Sequence, residues 1–190
     1  ITVLLIAGIA AANTVWNPTE PNDIAAGYAN WDVAANWTNG IPGVTDQKPV
    51  FNVTGAPECW VTTSTAAFSS DYVQGDGGPG GVVRVMNGGS INQSGSFWCS
   101  VGCNRTAKLI VEKGGWANFD GHLWWGMHTG GDAIVEINGG KVSNNQSFGL
   151  GEWFGTAGDN GQCKVYIRQN GELNIHHWTG GIASANPVFR

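Results

Sequence analysis

Residues 109–126, LIVEKGGWANFDGHLWWG, carry the pattern that decides the fold. Apolar residues alternate at the start of this stretch, a Gly-Gly pair follows, an apolar residue returns, and a glycine closes the unit. Residues 83–102 (VRVMNGGSINQSGSFWCSVG) and 134–151 (IVEINGGKVSNNQSFGLG) repeat the same order. Alternation with a period of two predicts β-strands that each bury one face.

Four alternating apolar pairs mark the repeat, at intervals of 26, 26 and 30 residues. A strand–turn–strand unit of this length cannot bury its apolar face alone, so successive copies must stack. We therefore predict an all-β chain that folds as a parallel β-helix, or β-solenoid, with coils of 26 residues. The pairs are Val83/Val85, Leu109/Val111, Val135/Ile137 and Val165/Ile167.

The sequence divides into three parts. We expect residues 13–81 to form an irregular N-terminal cap and degenerate coils, because a solenoid needs an atypical terminal coil to cover its exposed strand edge. Residues 82–190 hold the regular coils. No polar cap is visible after the last repeat. Either the solenoid continues, or another subunit covers its open end.

Residues 1–12, ITVLLIAGIAAA, form a continuous apolar segment. It is too short for a transmembrane span, which takes about 20 residues. Two interpretations remain open, a secretion signal and a retained segment that packs between subunits, and both place the protein outside the cytoplasm. The side chains assigned to that intersubunit contact are Ile1, Val3, Leu4, Leu5, Ile6 and Ile9.

The composition excludes one class of partner. Charged residues make up 12% of the chain, and the net charge is −5. A nucleic-acid-binding surface needs clustered lysine and arginine, so we predict no nucleic-acid partner.

Cysteine usage points to an oxidising compartment. An even number of cysteines, four, allows up to two disulfides, and the sequence leaves their connectivity open. The CSVGC element at 99–103 lacks a second ligand pair at zinc spacing, so no metal site is predicted. The candidates for disulfide formation are Cys59, Cys99, Cys103 and Cys163.

One motif resembles a known group of proteins. The NW..G.PG..D element, followed by coils with NGG turns, resembles secreted bacterial β-solenoid proteins with autotransporter-like or pectate-lyase-like repeats. That resemblance implies a right-handed parallel β-helix at the cell surface or outside the cell, and it implies no single activity. The motif consists of Asn36, Trp37, Gly40, Pro42, Gly43 and Asp46.

A polysaccharide lyase or glycosidase is the enzyme alternative, because many of these enzymes are β-helices. The acidic residues do not recur in register, so no stacked carboxylate pair is apparent. His176 and His177 are adjacent on a strand and point to opposite faces, so they cannot bind one metal together. We predict no catalytic residue and no cofactor.

Tryptophans near the mid-coil glycines are the strongest candidates for binding. Side chains at equivalent positions of stacked coils form a ladder, which serves as core, as a subunit contact or as a glycan platform. Trp124 and Trp125 are neighbours on one strand, so we expect at least one to face outward. Phe97, Leu123 and Phe148 are the expected inward neighbours. The proposed strip is Trp98, Trp124, Trp125 and Trp153.

Two functional hypotheses remain. The first is a non-catalytic structural protein that assembles with copies of itself into an extracellular fibre or cell-surface layer. The second is a carbohydrate-binding or polysaccharide-cleaving module of a larger secreted protein, with the tryptophan strip as its platform.

Overall fold

The protein is described here by a computed structural model. Three parts of the sequence predictions, the apolar segment 1–12, Asp46 and Trp153, lie outside the residues that it describes. The described residues are 13–43, 47–65, 67–151, 161–178 and 188–189.

These residues form a parallel β-solenoid of about five coils, which confirms the predicted fold. Helical structure in the described ranges is limited to α1 (Pro21–Ala26) and a single 3₁₀ turn (Ala34–Asn36). Pro21 begins α1 and Gly27 ends it, with a φ of 77°. Both positions suit these residues, since proline fits a helix start and glycine adopts the left-handed conformation without strain.

The first face of the solenoid is a seven-stranded sheet in which every neighbouring pair is parallel. Its strands are β2 (Tyr28–Asn30), β4 (Glu58–Val61), β6 (Val82–Val85), β9 (Thr106–Glu112), β12 (Asp132–Asn138), β14 (Gln162–Arg168) and β16 (Val188–Phe189).

A second, nine-stranded sheet supplies the other two faces, because β13 (Lys141–Leu150) turns a corner between Asn144 and Ser147. The second face contains β7 (Ser90–Gln93), β10 (Trp116–Phe119), the first half of β13 and β15 (Glu172–Trp178). The third face contains β1 (Asn13–Val15), β3 (Lys48–Phe51), β5 (Tyr72–Gln74), β8 (Trp98–Val101), β11 (His122–Trp125) and the ends of β13 and β15.

The predicted repeat is reproduced in the strand register. Val83 pairs with Leu109, Leu109 with Val135, and Val135 with Val165, and these four side chains are fully buried. The second members of the four apolar pairs follow the same register. Alternation in the sequence therefore predicted both the inward face and the pairing.

Buried amides hold the corners between faces. The side-chain amide nitrogen of Gln74, Nε2, donates hydrogen bonds to the carbonyls of Gly80 and Lys108, at 3.2 and 2.8 Å. Asn144 donates from Nδ2 to the carbonyl of Gly121 at 2.7 Å. The side-chain amides supply hydrogen bonds to these carbonyl groups at the bends, where an unpaired buried polar group would be destabilising.

The four cysteines are free, buried thiols, so the predicted disulfides are not supported. Register explains one pair: Cys59 in β4 and Cys163 in β14 lie four strands apart on the first face. Four strand spacings amount to about 19 Å, whereas a disulfide requires Cα atoms within about 7 Å.

Candidate functional site

A short antiparallel segment covers the outer edge of β1 and closes the N-terminal end of the described solenoid. The Thr38 N–H donates to the Val15 carbonyl at 3.0 Å, and the Asn39 side-chain amide donates to the Asn13 carbonyl at 2.6 Å. Trp16 and Trp37 form an antiparallel bridge. The backbone groups of this edge are thereby paired, which removes a site for strand addition.

An aromatic cluster fills the interior beneath this closed end. The Trp37 ring lies 5.0 Å from that of Trp16 and 4.8 Å from that of Trp31, with edge-to-face geometry in both pairs. Phe51 packs against all three indoles. The Trp37 Nε1–H also donates to the Trp31 carbonyl at 2.7 Å, so this large side chain buries its polar atom with a partner.

The apolar row at the opposite end is incompletely covered. Leu173 occupies the position that Ile91, Ala117 and Val142 occupy in the preceding coils. Those three side chains are fully buried, whereas Leu173 is only partly buried, as is Ile175 two residues later. In the part of the chain that the structure describes, the interior of this coil is therefore partly accessible.

Strand β15 also has an unpaired outer edge. It pairs with β13 on one side, and on its other side no strand of the described residues is hydrogen-bonded to it. On the first face, β16 continues the sheet beyond β14 only at Lys164 and Val165. We call Gly171–His176 the open coil. A strand edge of this kind is a template for pairing with another chain.

A cavity of about 150 Å³ lies on the outside of the third face. The Lys48 ammonium is 3.5 Å from the Asp71 carboxylate, and the other oxygen of that carboxylate accepts the Trp98 backbone N–H at 2.9 Å. The Asp76 carboxylate accepts a bond from Asn104 at 2.8 Å. We call this cavity the side groove. Its lining includes Lys48, Asp71, Val73, Asp76, Trp98 and Met127.

Trp98 is the large aromatic residue of the side groove. Its ring is stacked on the His122 imidazole of the next coil, with ring centroids 4.6 Å apart. The side chain nevertheless remains 39% exposed. The stack fixes the orientation of an indole that solvent can still reach, which is the arrangement found where aromatic rings serve as binding surfaces.

The structure does not form the predicted tryptophan strip. Trp98 is exposed, whereas Trp124 and Trp125 are 1% and 0% exposed, so the one that faces outward, Trp124, is covered rather than open to solvent. Trp125 points into the coil and packs against Phe148. Trp124 points outward, and its ring lies over Gly149 of the next coil, at a position where a Cβ would overlap the ring.

The predicted inward neighbours are correct in two of three cases. Leu123 and Phe148 are fully buried and paired in register, whereas Phe97 is 36% exposed. Cys99 takes the inward position that was assigned to Phe97, because Cys99 is the register partner of Leu123.

The charged part of the side groove and the exposure of Trp116 were not predicted from the sequence. Lys48, Asp71 and Asp76 fall in the irregular region 13–81, where no repeat fixes the register. Trp116 is 41% exposed beside the buried Ala117. The alternation that assigned Ala117 to the interior also places Trp116 outside, so this signal was present in the sequence.

Nucleophilic chemistry at the cysteines is disfavoured by their surroundings. Burial raises the pKa of Cys103 to about 11, with a further contribution from Asp76, and burial raises the pKa of Cys163 to about 12. A thiol with such a pKa carries almost no reactive thiolate near neutral pH.

In the part of the chain that the structure describes, no three His, Cys, Asp or Glu side chains come close enough to hold a metal ion. Neither is there a helix among these residues with the length and apolar character needed to cross a membrane.

Comparison of the chain with protein-family models, with curated proteins and with solved structures found no match. The resemblance to β-solenoid proteins is therefore supported at the level of the fold. Two surfaces of the described residues, the open coil and the side groove, remain as candidate binding sites.

Proposed function

We propose that the protein is a non-catalytic extracellular structural protein, a β-helix subunit that assembles with copies of itself into a fibre or cell-surface layer. The observation that carries the proposal is the open coil, in which Leu173 and Ile175 are only partly buried and the outer edge of β15 is unpaired among the described residues. A second copy is the occupant that best fits this surface.

Stacking of a second copy satisfies both exposed features of the open coil at once. Its strands provide main-chain partners for the edge of β15, as in strand addition between chains. Its inward row covers Leu173 and Ile175 in the way that Val142 is covered inside the solenoid. Each fully buried aliphatic side chain contributes about 1.5–3 kcal/mol relative to exposure, so completing two partly buried ones favours association.

A fibre or layer needs a second contact on each subunit. At the N-terminal end, the edge of β1 is unsuited to strand addition, because residues 36–40 already pair with it. Two open coils can join as a pair, and the apolar segment 1–12 is the predicted second contact that links pairs into a longer assembly. We include a secreted bacterial origin in the proposal, in keeping with the resemblance of the NW..G.PG..D element.

Self-association is tested by sedimentation velocity over a range of protein concentrations, together with electron microscopy of the purified chain. We expect filaments or sheets for the wild type. The Leu173→Asp variant places a charge in the contact and should remain small, whereas Asn174→Asp is a matched control because Asn174 is exposed on the other side of the same strand. A concentration-independent monomer for the wild type would overturn the proposal.

A deletion of residues 1–12 separates the two contacts. We expect this variant to form pairs through the open coil and to lose the filaments. Filaments that persist in the deletion variant would exclude a role for Ile1, Val3, Leu4, Leu5, Ile6 and Ile9 in assembly.

A further inference from the structure

We propose that the side groove binds a neutral polysaccharide chain that runs parallel to the solenoid axis. The groove combines an exposed, orientationally fixed indole with two carboxylates and one ammonium group. This site is distinct from the open coil and does not depend on self-association.

The dimensions of the groove favour an extended ligand. Lys48, Asp71, Trp98 and Met127 come from four successive coils, since β3, β5, β8 and β11 are consecutive neighbours on the third face. Adjacent strands are about 4.8 Å apart, so the groove extends over about 14 Å along the axis. A linear chain of sugar rings fits such a track, and each ring meets a different coil.

The polar groups of the groove are positioned before any ligand arrives. Asp71 is held by the Trp98 backbone N–H and by Lys48, and Asp76 is held by the Asn104 amide. A carboxylate has about four acceptor positions, so both groups retain capacity for sugar hydroxyl groups. Fixed acceptors reduce the ordering cost of binding.

The apolar groups of the groove match the other surface of a sugar ring. Trp98, Val73 and Met127 present an indole, a methyl-rich surface and a thioether to the cavity. The C–H face of a pyranose is apolar and packs on an aromatic ring, while its hydroxyl groups extend sideways to hydrogen-bond partners. Water and small ions would interact only with the charged groups of the side groove and not with its apolar side chains.

The charge of the lining excludes acidic polymers. Asp71 and Asp76 outnumber Lys48, so the charged groups sum to −1, and Lys48 is already paired with Asp71. A polyuronate or a nucleic acid would place further negative charge beside these carboxylates, with an unfavourable Coulomb energy. The ligand class that remains is a neutral glycan.

Affinity electrophoresis tests this site. The chain is run through native gels that contain hydroxyethylcellulose, arabinoxylan, laminarin or dextran, with polygalacturonate as the acidic probe. We expect at least one neutral glycan to retard the protein and polygalacturonate to have no effect. Trp98→Ala should reduce the retardation by a factor of ten or more, and Asp76→Asn should reduce it less.

Trp116→Ala is the matched control, because Trp116 has nearly the same exposure as Trp98 (41% against 39%) and lies outside the groove. It should be retarded like the wild type. Circular dichroism confirms that each variant keeps its strand content. Absence of retardation by all four neutral glycans, retardation by polygalacturonate alone, or unchanged retardation of Trp98→Ala would each overturn the proposal.

The outcome is distinguishable from that of the assembly proposal. Leu173→Asp should remove the contact through the open coil and leave glycan retardation intact, whereas Trp98→Ala should reduce glycan retardation and leave self-association unchanged.

Discussion

The two ends of the described solenoid differ in how their strand edges and interiors are covered. At the N-terminal end, residues 36–40 fold back over the edge of β1, and three tryptophans fill the space beneath. At the other end, β15 presents an unpaired edge, and Leu173 is only partly buried. A β-solenoid is stable in its middle because every coil has two neighbours, so its ends decide whether it remains alone.

The closed end uses large, polar-tipped aromatic side chains in place of another coil. Trp16 and Trp37 each bury an indole ring and donate their Nε1–H to a carbonyl group, Pro57 and Trp31 respectively. The open end has aliphatic residues, Leu173 and Ile175, in its inward row, and these gain from a further layer. The comparison indicates that an end of the solenoid is closed when its strand edge is paired and when large side chains fill the interior beneath it.

The largest expected effect comes from disrupting the aromatic cluster at the N-terminal end. Trp37→Ala removes a 4% exposed indole that contacts two other tryptophans and Phe51, and it should lower the free energy of unfolding by about 3–5 kcal/mol. Chemical denaturation followed by circular dichroism measures this loss. Trp116→Ala is the control and should cost less than about 1 kcal/mol. Equal costs for the two variants would contradict the role of the aromatic cluster.

A pair of identical substitutions compares the interior with the open coil. Leu109→Ala affects a fully buried side chain and should cost about 2–5 kcal/mol. Leu173→Ala affects a partly buried one, and in dilute, monomeric protein it should cost at most about 1 kcal/mol because less apolar contact is lost. Denaturation at low protein concentration checks both values. A large cost at Leu173 would show that this coil is covered.

An ion-pair ladder on the first face joins β4, β6 and β9 and makes the stability of these coils depend on pH. Arg84 lies 3.0 Å from Glu58 and 2.6 Å from Glu112. Burial raises the pKa of Glu58, but its bonds to Arg84 and Trp60 outweigh that effect and bring the pKa below the ordinary value of 4.5. The unfolded chain therefore binds a proton more readily, so this contribution to stability is present above pH 4.5 and is lost as the pH falls through the lower folded-state pKa.

Denaturation midpoints measured between neutral pH and acid test this ladder. Glu58→Gln should be less stable than the wild type near neutral pH, by no more than about 1 kcal/mol because these groups are partly exposed. The difference should shrink below pH 4.5. In Arg84→Met, only the Trp60 hydrogen bond and the Lys108 charge still oppose the effect of burial on the pKa of Glu58, so the contribution of Glu58 to the pH dependence should be smaller. A constant difference between wild type and Glu58→Gln at all pH values would contradict the ion pair.

The smallest expected effect concerns edge pairing alone. Asn39→Ala removes the hydrogen bond to the Asn13 carbonyl at an exposed position where water can replace the donor, so it should cost about 0.5 kcal/mol, the low end for a protein hydrogen bond. Hydrogen exchange of the β1 amides should accelerate, while that of the β12 amides should not. Uniform acceleration along the chain would indicate that the segment 36–40 is not a local closure.

The sequence predicted the coils well because backbone pairing and alternation are local rules. Leu109 and Val135 stand 26 residues apart and are register partners. The burial of Trp124 could not be derived in this way, since it depends on Gly149 in the next coil leaving space for the ring. The side groove was equally inaccessible, because Lys48 and Asp71 meet through a register that no repeat reveals.

Because Trp124 packs over Gly149, the residues that one position tolerates depend on the residue at the other. A methyl group at Gly149 would overlap the indole, so Ala or any larger residue there requires a smaller side chain at Trp124. Substitutions at the two sites are therefore not independent, and a double variant such as Trp124→Val with Gly149→Ala should be tolerated better than Gly149→Ala alone. At these two positions, neighbouring coils can diverge only as a matched pair of one large and one small residue.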